Sequence, residues 1–240
     1  MLRVFIGYDE RQAIAYNVCR WSIERRSSIP VAITPLKLDT LPLKREGLTR
    51  FTYSRFLVPW LCGFHGRAIF MDSDFLCLED IDKLNGWGLP NGQLHPVYVR
   101  KSPQKFEWAS LIIFNCDHPS NKILTPEYVE KAGDLHRLSW LKDDEIGDIS
   151  KGWNHLVGYD PPMPNAGLVH FTQGLPIFPE TEGSEYAAEW RAEHQAMNST
   201  LPWQQTMGHS VHAAPTRDGR RVAKLHKDAI RGVESAMTGG

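Results

Sequence analysis

The stretch Arg67-Ala-Ile-Phe-Met-Asp-Ser-Asp-Phe-Leu-Cys-Leu78 decides how this chain is read. It has the pattern of a buried strand broken by two carboxylates, Asp72 and Asp74, with apolar runs on both sides. An Asp-Ser-Asp triplet so placed lies at the edge of a core. Burying an unpaired carboxylate is costly or shifts its pKa, so a cationic partner is expected against the pair. Residues two apart in an extended segment point the same way, which lets both carboxylates converge on one ion. Hard oxygen ligands suit Mg2+ or Mn2+, and such sites usually also hold a substrate's phosphates. The bland reading is a pair of solvated loop carboxylates.

Around this stretch the chain is long enough, at 240 residues, for one large α/β domain, or one domain with a small appendage. A net charge of −1 leaves no basic excess to neutralise nucleic-acid phosphates, so no nucleic-acid partner is expected. Cys19, Cys62, Cys77 and Cys116 are scattered, with no CxxC pair, and read as small buried hydrophobes in a reducing compartment. The chain enters a strand at once, Leu2-Arg-Val-Phe-Ile6, so no secretory signal is expected. No apolar run of about 18 residues occurs, which predicts no transmembrane helix and a cytoplasmic protein.

Val4-Phe-Ile6 runs into Gly7-Tyr8-Asp9-Glu10, and Ala13 to Ile23 then has helical spacing: the opening unit of an open α/β sheet. Val31-Ala-Ile33 is a candidate second strand. Phe51 to Phe64 reads as a helix with Pro59 as its kink. Ser110-Leu-Ile-Ile-Phe114 is strongly strand-like, and 120–150 reads as mostly helical, ending in Asp143-Asp144-Glu145. Leu168-Val-His-Phe171 is a short late strand, and Glu185 to Met197 a helix. These features predict a domain over 1–200. Beyond it, 201–240 forms a C-terminal extension with Arg217, Arg220, Arg221, Lys224, Lys227 and Arg231 crowded together.

Open α/β sheets bind nucleotides at strand C-terminal ends, where Gly7, Tyr8 and Asp9 lie. Tyr8 suits stacking on a base and Asp9 suits accepting a base N–H, with ordinary turn chemistry as the alternative. The glycine-rich dinucleotide fingerprint is absent, which excludes NAD and FAD as expectations. His170, at the end of a late strand, is a third ligand for a metal or a structural histidine. The acidic run Asp143 to Glu145 is a solvated face or a carboxylate facing a sugar's anomeric carbon. Among eight tryptophans, Trp108 is singled out.

Taken together, these pieces resemble the retaining GT-A-fold glycosyltransferases of family 8, the glycogenin and bacterial galactosyltransferase type. Phe5 to Glu10, including Ile6, resembles the first-strand nucleotide loop. Thr52-Tyr53-Ser54-Arg55 resembles the Tyr-x-Arg motif whose arginine contacts the donor. Ala68 to Leu78, with Ser73 between the carboxylates, resembles the strand with the Asp-x-Asp metal site. Asn165 to Pro176 resembles the late loop whose histidine completes that site. Three blocks depart from the family. Its Asn-x-Gly stands here as Trp108-Ala109-Ser110 and its Asp-Gln-Asp as Asp143-Asp144-Glu145. Its late-loop lysine is missing from His170-Phe-Thr-Gln-Gly-Leu-Pro176.

The resemblance implies an open mixed sheet flanked by helices and sugar transfer from a nucleotide-diphosphate sugar with the anomeric configuration retained. UDP-sugar is the donor by family habit, and the acceptor is a glycan or a lipid-linked glycan. It implies Mn2+ (or Mg2+) on Asp72, Asp74 and His170, with Arg55 as a further cation. Donor contacts would come from Ile6, Gly7, Tyr8, Asp9, Ser73 and Trp108. Asp144, beside Asp143, would face C1 and either stabilise positive charge there or form a covalent glycosyl adduct. The basic tail reads either as a contact with the inner membrane face or as an unstructured terminus. Two rivals stand beside this reading. A haloacid-dehalogenase-like phosphohydrolase would use Asp72 and Asp74, though its Asp pair usually follows the first core strand. A non-catalytic sugar-nucleotide-binding protein would hold donor and metal without turnover.

Overall fold

The computed structural model describes residues 1–88, 94–199, 201 and 205. Met1–Met197 form one compact unit and Asn198–Gly240 a second. The basic cluster from Arg217 to Arg231 lies outside the described residues.

The first unit opens with β1 (Leu2–Gly7), α1 (Ala13–Arg26) and β2 (Val31–Leu36). It continues through α2 (Val58–Leu61), β3 (Arg67–Met71), β4 (Phe75–Cys77), α3 (Asp82–Asn85), β5 (Val97–Val99) and β6 (Leu111–Asn115). It closes with α4 (Pro126–Lys131), β7 (Ile146–Asp148), β8 (His155–Leu156), β9 (Leu168–His170) and α5 (Ala187–Asn198). Six strands form a mixed sheet in the order β2-β1-β3-β6-β5-β7, and β4-β9-β8 form a small second sheet. β1 pairs in parallel with both β2 and β3, whereas β6 runs antiparallel to β3. Pro35 is tolerated in β2 because that strand is the sheet's edge, where a missing N–H breaks no ladder.

Alternation along the central strands sorts their side chains into two cores, as a period of two requires. Phe5, Ala68, Phe70, Ile112 and Phe114 join one apolar cluster. Val4, Ile6, Ile69, Met71, Leu111 and Ile113 join the other, where Tyr16, Cys19 and Ile23 of α1 cover them. Burial on both faces explains why these strands read as nearly continuous apolar runs. On another side, α1 places Ala15 and Val18 against Leu76 and Val169 of the small sheet and against Trp190 of α5. Cys19, Cys77 and Cys116 are buried, Cys62 is half-buried, and none is in a disulfide.

Two sequence expectations are corrected. The segment 51–64 is not one helix kinked at Pro59. Its residues form turns, a 3-10 stretch Ser54–Leu57 and the single turn α2, with Pro59 in the first helical turn. Proline lacks the N–H that a helix interior uses but not the one its first turn leaves free, so Pro59 starts a helix instead of bending one. The segment 120–150 is likewise not mostly helical. α4 is capped by Thr125, whose side chain accepts from Tyr128 N–H, and is only six residues long. Asp134 and Leu138 then take left-handed backbone angles, φ 51° and 55°, which no helix continues through. The acidic run leads into β7, which pairs in parallel with β5. Among the described residues no helix is long and apolar enough to cross a membrane.

Candidate metal and nucleotide-sugar site

β2 lies on one side of β1 and β3 on the other, so the strand order reverses between β1 and β3, and open α/β sheets place ligand crevices at such a switch, beyond strand carboxyl ends. Asp72 is the first residue past β3, and its N–H donates to Ser110 O at 2.9 Å. Ser73 and Asp74 turn the chain into β4. Antiparallel pairing of β4 with β9 sets Phe75 opposite His170, and Phe171 N–H donates to Asp74 O at 3.0 Å. This register brings a residue about a hundred positions later to the Asp-Ser-Asp turn. Ligand atoms of Asp72, Asp74 and His170 all lie within 4.8 Å of one another.

Arg55 stands behind Asp72, buried, with Nη1 2.9 Å from Asp72 Oδ1 in an ion-pair contact outside hydrogen-bond geometry. Its own hydrogen bonds go to Ala109 O (2.8 Å) and Thr52 O (3.1 Å). His170 stacks on Phe75, ring centroids 4.3 Å apart and planes at 14°. Its Nε2 lies 3.4 Å from Asp74 Oδ1 and its Nδ1 3.8 Å from Glu107 Oε2. Glu107 belongs to a 3-10 stretch, Lys105–Ser110, just before β6. These groups line a cavity of about 380 Å³, together with Phe51, Thr52, His136 and Thr172.

Three carboxylates therefore crowd one spot. Burial pushes the Asp72 carboxyl up to about 7, against the pull of Arg55 and with a further push from Asp74. Burial also raises Glu107, which His170 pulls back down. Burial opposes charging of His170, yet the charges of its acidic neighbours, Asp74 foremost, raise its pKa on balance. Buried Oδ1 atoms of Asp72 and Asp74 have no hydrogen-bond partner among the described residues. Paired hard oxygens and an imidazole nitrogen fit a divalent cation such as Mn2+.

The other sequence candidates fall elsewhere. Ile6 is core, and a Cβ on Gly7 would stand 2.4 Å from ring carbons of Phe51. Gly7 thus admits the ring that forms part of the cavity wall. Tyr8 packs edge-on against Tyr16 at 5.4 Å. Asp9 is buried, and its oxygens accept from Arg11 N, Nε and Nη2 and from Arg50 N. The Arg11 hydrogen bond holds its carboxyl down at about 2. Asp9 thereby secures the loop before Phe51. Trp108 is core, with Nε1 donating to Ser102 O at 2.8 Å. Asp143 and Asp144 are exposed and do not line the cavity; Asp143 Oδ2 lies 3.7 Å from Lys105 Nζ. Glu107 and His136 were missed. The available signal for Glu107 was an acidic residue within the mostly apolar run Phe106 to Phe114, the same kind of interruption that marked Asp72.

Protein CDI of Arabidopsis thaliana is 37% identical to this chain, over 82% of this chain and 87% of that protein. The chain belongs to the Protein CDI family. No family model matches it. Solved structures similar to this CDI-family chain are glycosyltransferases. The bifunctional glycosyltransferase WbbM, in its apo form, matches with a TM-score of 0.62 at 14% identity, over 86% of this chain and 51% of WbbM. The galactosyltransferase LgtC, solved with donor and acceptor sugar analogs, matches at 0.56 and 12% identity, over 85% and 99%. GlyE of Streptococcus pneumoniae TIGR4 matches at 0.61 and 14%, over 85% and 61%. The CDI-family chain thus spans about half of WbbM but nearly all of LgtC. Its fold is the GT-A fold of these enzymes, a mixed sheet flanked by helices.

Proposed function

We propose that this CDI-family protein is a metal-dependent retaining glycosyltransferase. It would move a sugar from a nucleotide-diphosphate sugar, UDP-sugar foremost, to a glycan or lipid-linked glycan. The observation that supports this most is the convergence of Asp72, Asp74 and His170 at the rim of the cavity on a GT-A fold. The likeness to that fold removes the scaffold on which a phosphohydrolase reading depends.

Charge argues for the metal. Asp72, Asp74 and Glu107 line the cavity, and Arg55 beside them is already drawn to Asp72. A diphosphate entering this field alone meets net repulsion. Asp72, Asp74 and His170 would hold Mn2+ or Mg2+, which when bound neutralises phosphate charge as the leaving group departs. Arg55 contributes a fixed guanidinium whose position is set by Ala109 O and Thr52 O before any ligand arrives, so little reorganisation accompanies the reaction. Phe51 and Thr52 form the wall beside it.

An electrostatic role for Asp144 at C1, with Asp143 beside it, has the least geometric support, because its turn is exposed. Asp144→Asn tests it: a loss near 100-fold in kcat assigns the role, and turnover within threefold removes it. Catalysis is assigned to 1–200, and the extension 201–240 to contact with the inner face of a membrane in a cytoplasmic protein. Unchanged liposome sedimentation after truncation at Pro215 would remove that contact. The decisive test of the whole reading is calorimetric titration of UDP and GDP with Mn2+ and then with EDTA. Binding that requires Mn2+ and disappears in Asp72→Ala is expected. Absence of any metal-dependent nucleotide binding would sink it.

A further inference from the structure

The surroundings of His170 leave one of its properties to a residue outside the three-residue cluster. Pairing of β9 with β4 fixes its backbone, and the stack on Phe75 fixes its ring plane. Neither decides which ring nitrogen bears the proton, although a metal needs a bare lone pair on the nitrogen that faces it. Nε2 is the nitrogen turned toward Asp74 and so toward the cluster. Nδ1 is buried, has no hydrogen-bond partner, and faces Glu107 Oε2 at 3.8 Å, an ion-pair distance.

Glu107 is itself held in place. Its N–H donates to Gln104 O at 2.9 Å, and its carbonyl accepts from Ser110 Oγ at 2.6 Å. Ser110 Oγ in turn accepts from Asn154 Nδ2 at 3.0 Å, and Ser110 O accepts from Asp72 N–H. One short stretch therefore carries both the acceptor for Asp72 N–H and the residue whose carboxylate faces His170.

We infer that Glu107 is a positioning residue for the metal site: its carboxylate, facing Nδ1, selects the Nδ1–H tautomer of His170 and leaves Nε2 free to ligate the cation. This rests on the metal reading proposed above. A carboxylate on the far nitrogen of a ligating histidine typically contributes about 10- to 100-fold to metal affinity.

The test is titration of Mn2+ alone into the full chain, with free Mn2+ followed by electron paramagnetic resonance, for the parent, Glu107→Gln, Glu107→Ala, Asp72→Ala and His170→Ala. Circular dichroism melts confirm folding of each variant. Glu107→Ala is expected to weaken Mn2+ binding by about 10- to 100-fold, and Glu107→Gln by less because its amide oxygen keeps a negative dipole end facing Nδ1. A second readout needs no metal. With 15N-labelled histidine, recorded at alkaline pH where the ring is neutral, Asp74 at 3.4 Å draws the proton to Nε2 and Glu107 at 3.8 Å draws it to Nδ1, so the Nδ1–H share of His170 should fall from the parent to Glu107→Ala. Mn2+ affinity within twofold of the parent in Glu107→Ala, with Asp72→Ala deficient, overturns the role of Glu107 and leaves the metal site standing. A parent chain that takes up no Mn2+ overturns both.

Discussion

Arg55 shows how much one side chain does here. It is buried, crosses from the Phe51 segment to Ala109, and sits with its guanidinium 5.0 Å from the Phe70 ring and 2.9 Å from Asp72. A lysine would keep the charge but lose the planar fork that reaches two carbonyls at once. Arg55→Lys is therefore expected to lower kcat/KM by roughly 100-fold in a sugar-transfer assay and to destabilise the fold by about 1–3 kcal/mol where a buried carbonyl loses its donor. Turnover near the parent level would show that a point charge suffices. At this scale the sequence was most legible where a polar residue broke an apolar run: Asp72, Asp74 and His170 all stand at strand ends, and the fold gathers them. Asp9 has the same placement but a different fate, because Arg11 two residues later and the Arg50 amide take up both its oxygens. Nothing in the spacing of residues 9, 11 and 50 reveals that pairing.

Short elements and close approaches shape the cavity wall. Gly7 ends β1 where the Phe51 ring leaves no room for a methyl group, so Gly7→Ala forces one of them to move. A destabilisation of about 1–3 kcal/mol is expected in urea unfolding, with weaker nucleotide binding as the ring shifts. His136, in the 3-10 turn Leu135–Arg137, packs edge-on against Tyr53 and Phe56. Burial first, then the nearby Arg55 and Arg45 charges, lowers its pKa from 6.5 to about 4. The unfolded chain takes up this proton below about 6.5, and the native protein refuses it until about 4. Stability therefore rises with pH across that window and is lost as pH falls through it, by about 2 kcal/mol once partial exposure is allowed for. His136→Phe should flatten this part of the urea midpoint–pH profile; an unchanged profile would place the acid sensitivity elsewhere. These turns resisted reading from sequence because propensity is weak over three or four residues, and tertiary contacts decided their form.

Across the whole first unit, β1, β2, β3 and β6 of the large sheet and the crossover helix α1 were legible early as apolar runs bounded by turn residues, whereas β5 and β7, three residues each, were not. The small sheet was legible only in part: β9 falls within the expected late strand Leu168–Phe171, whereas β8, two residues long, is too short to show a period. A long-range ion pair ties α5 back to α1. Glu193 of α5, nearly buried, accepts from Arg25 at 3.1 Å and from Arg26 at 2.5 Å. Glu193→Gln strands two arginines and is expected to destabilise the unit by about 2 kcal/mol, less than a fully buried pair would because Arg25 is half exposed. Urea unfolding followed by tryptophan fluorescence measures it.

Asp72 closes a strand of the large sheet, whereas His170 closes one of the small sheet. An ion gripped by both would rivet one sheet to the other, and thermodynamic linkage then makes melting temperature a gauge of occupancy. Saturation at a hundredfold excess over Kd adds about 2.7 kcal/mol, or several degrees for a unit of this size. A panel of cations and nucleotide sugars could thus be ranked by heating alone, before any acceptor is known.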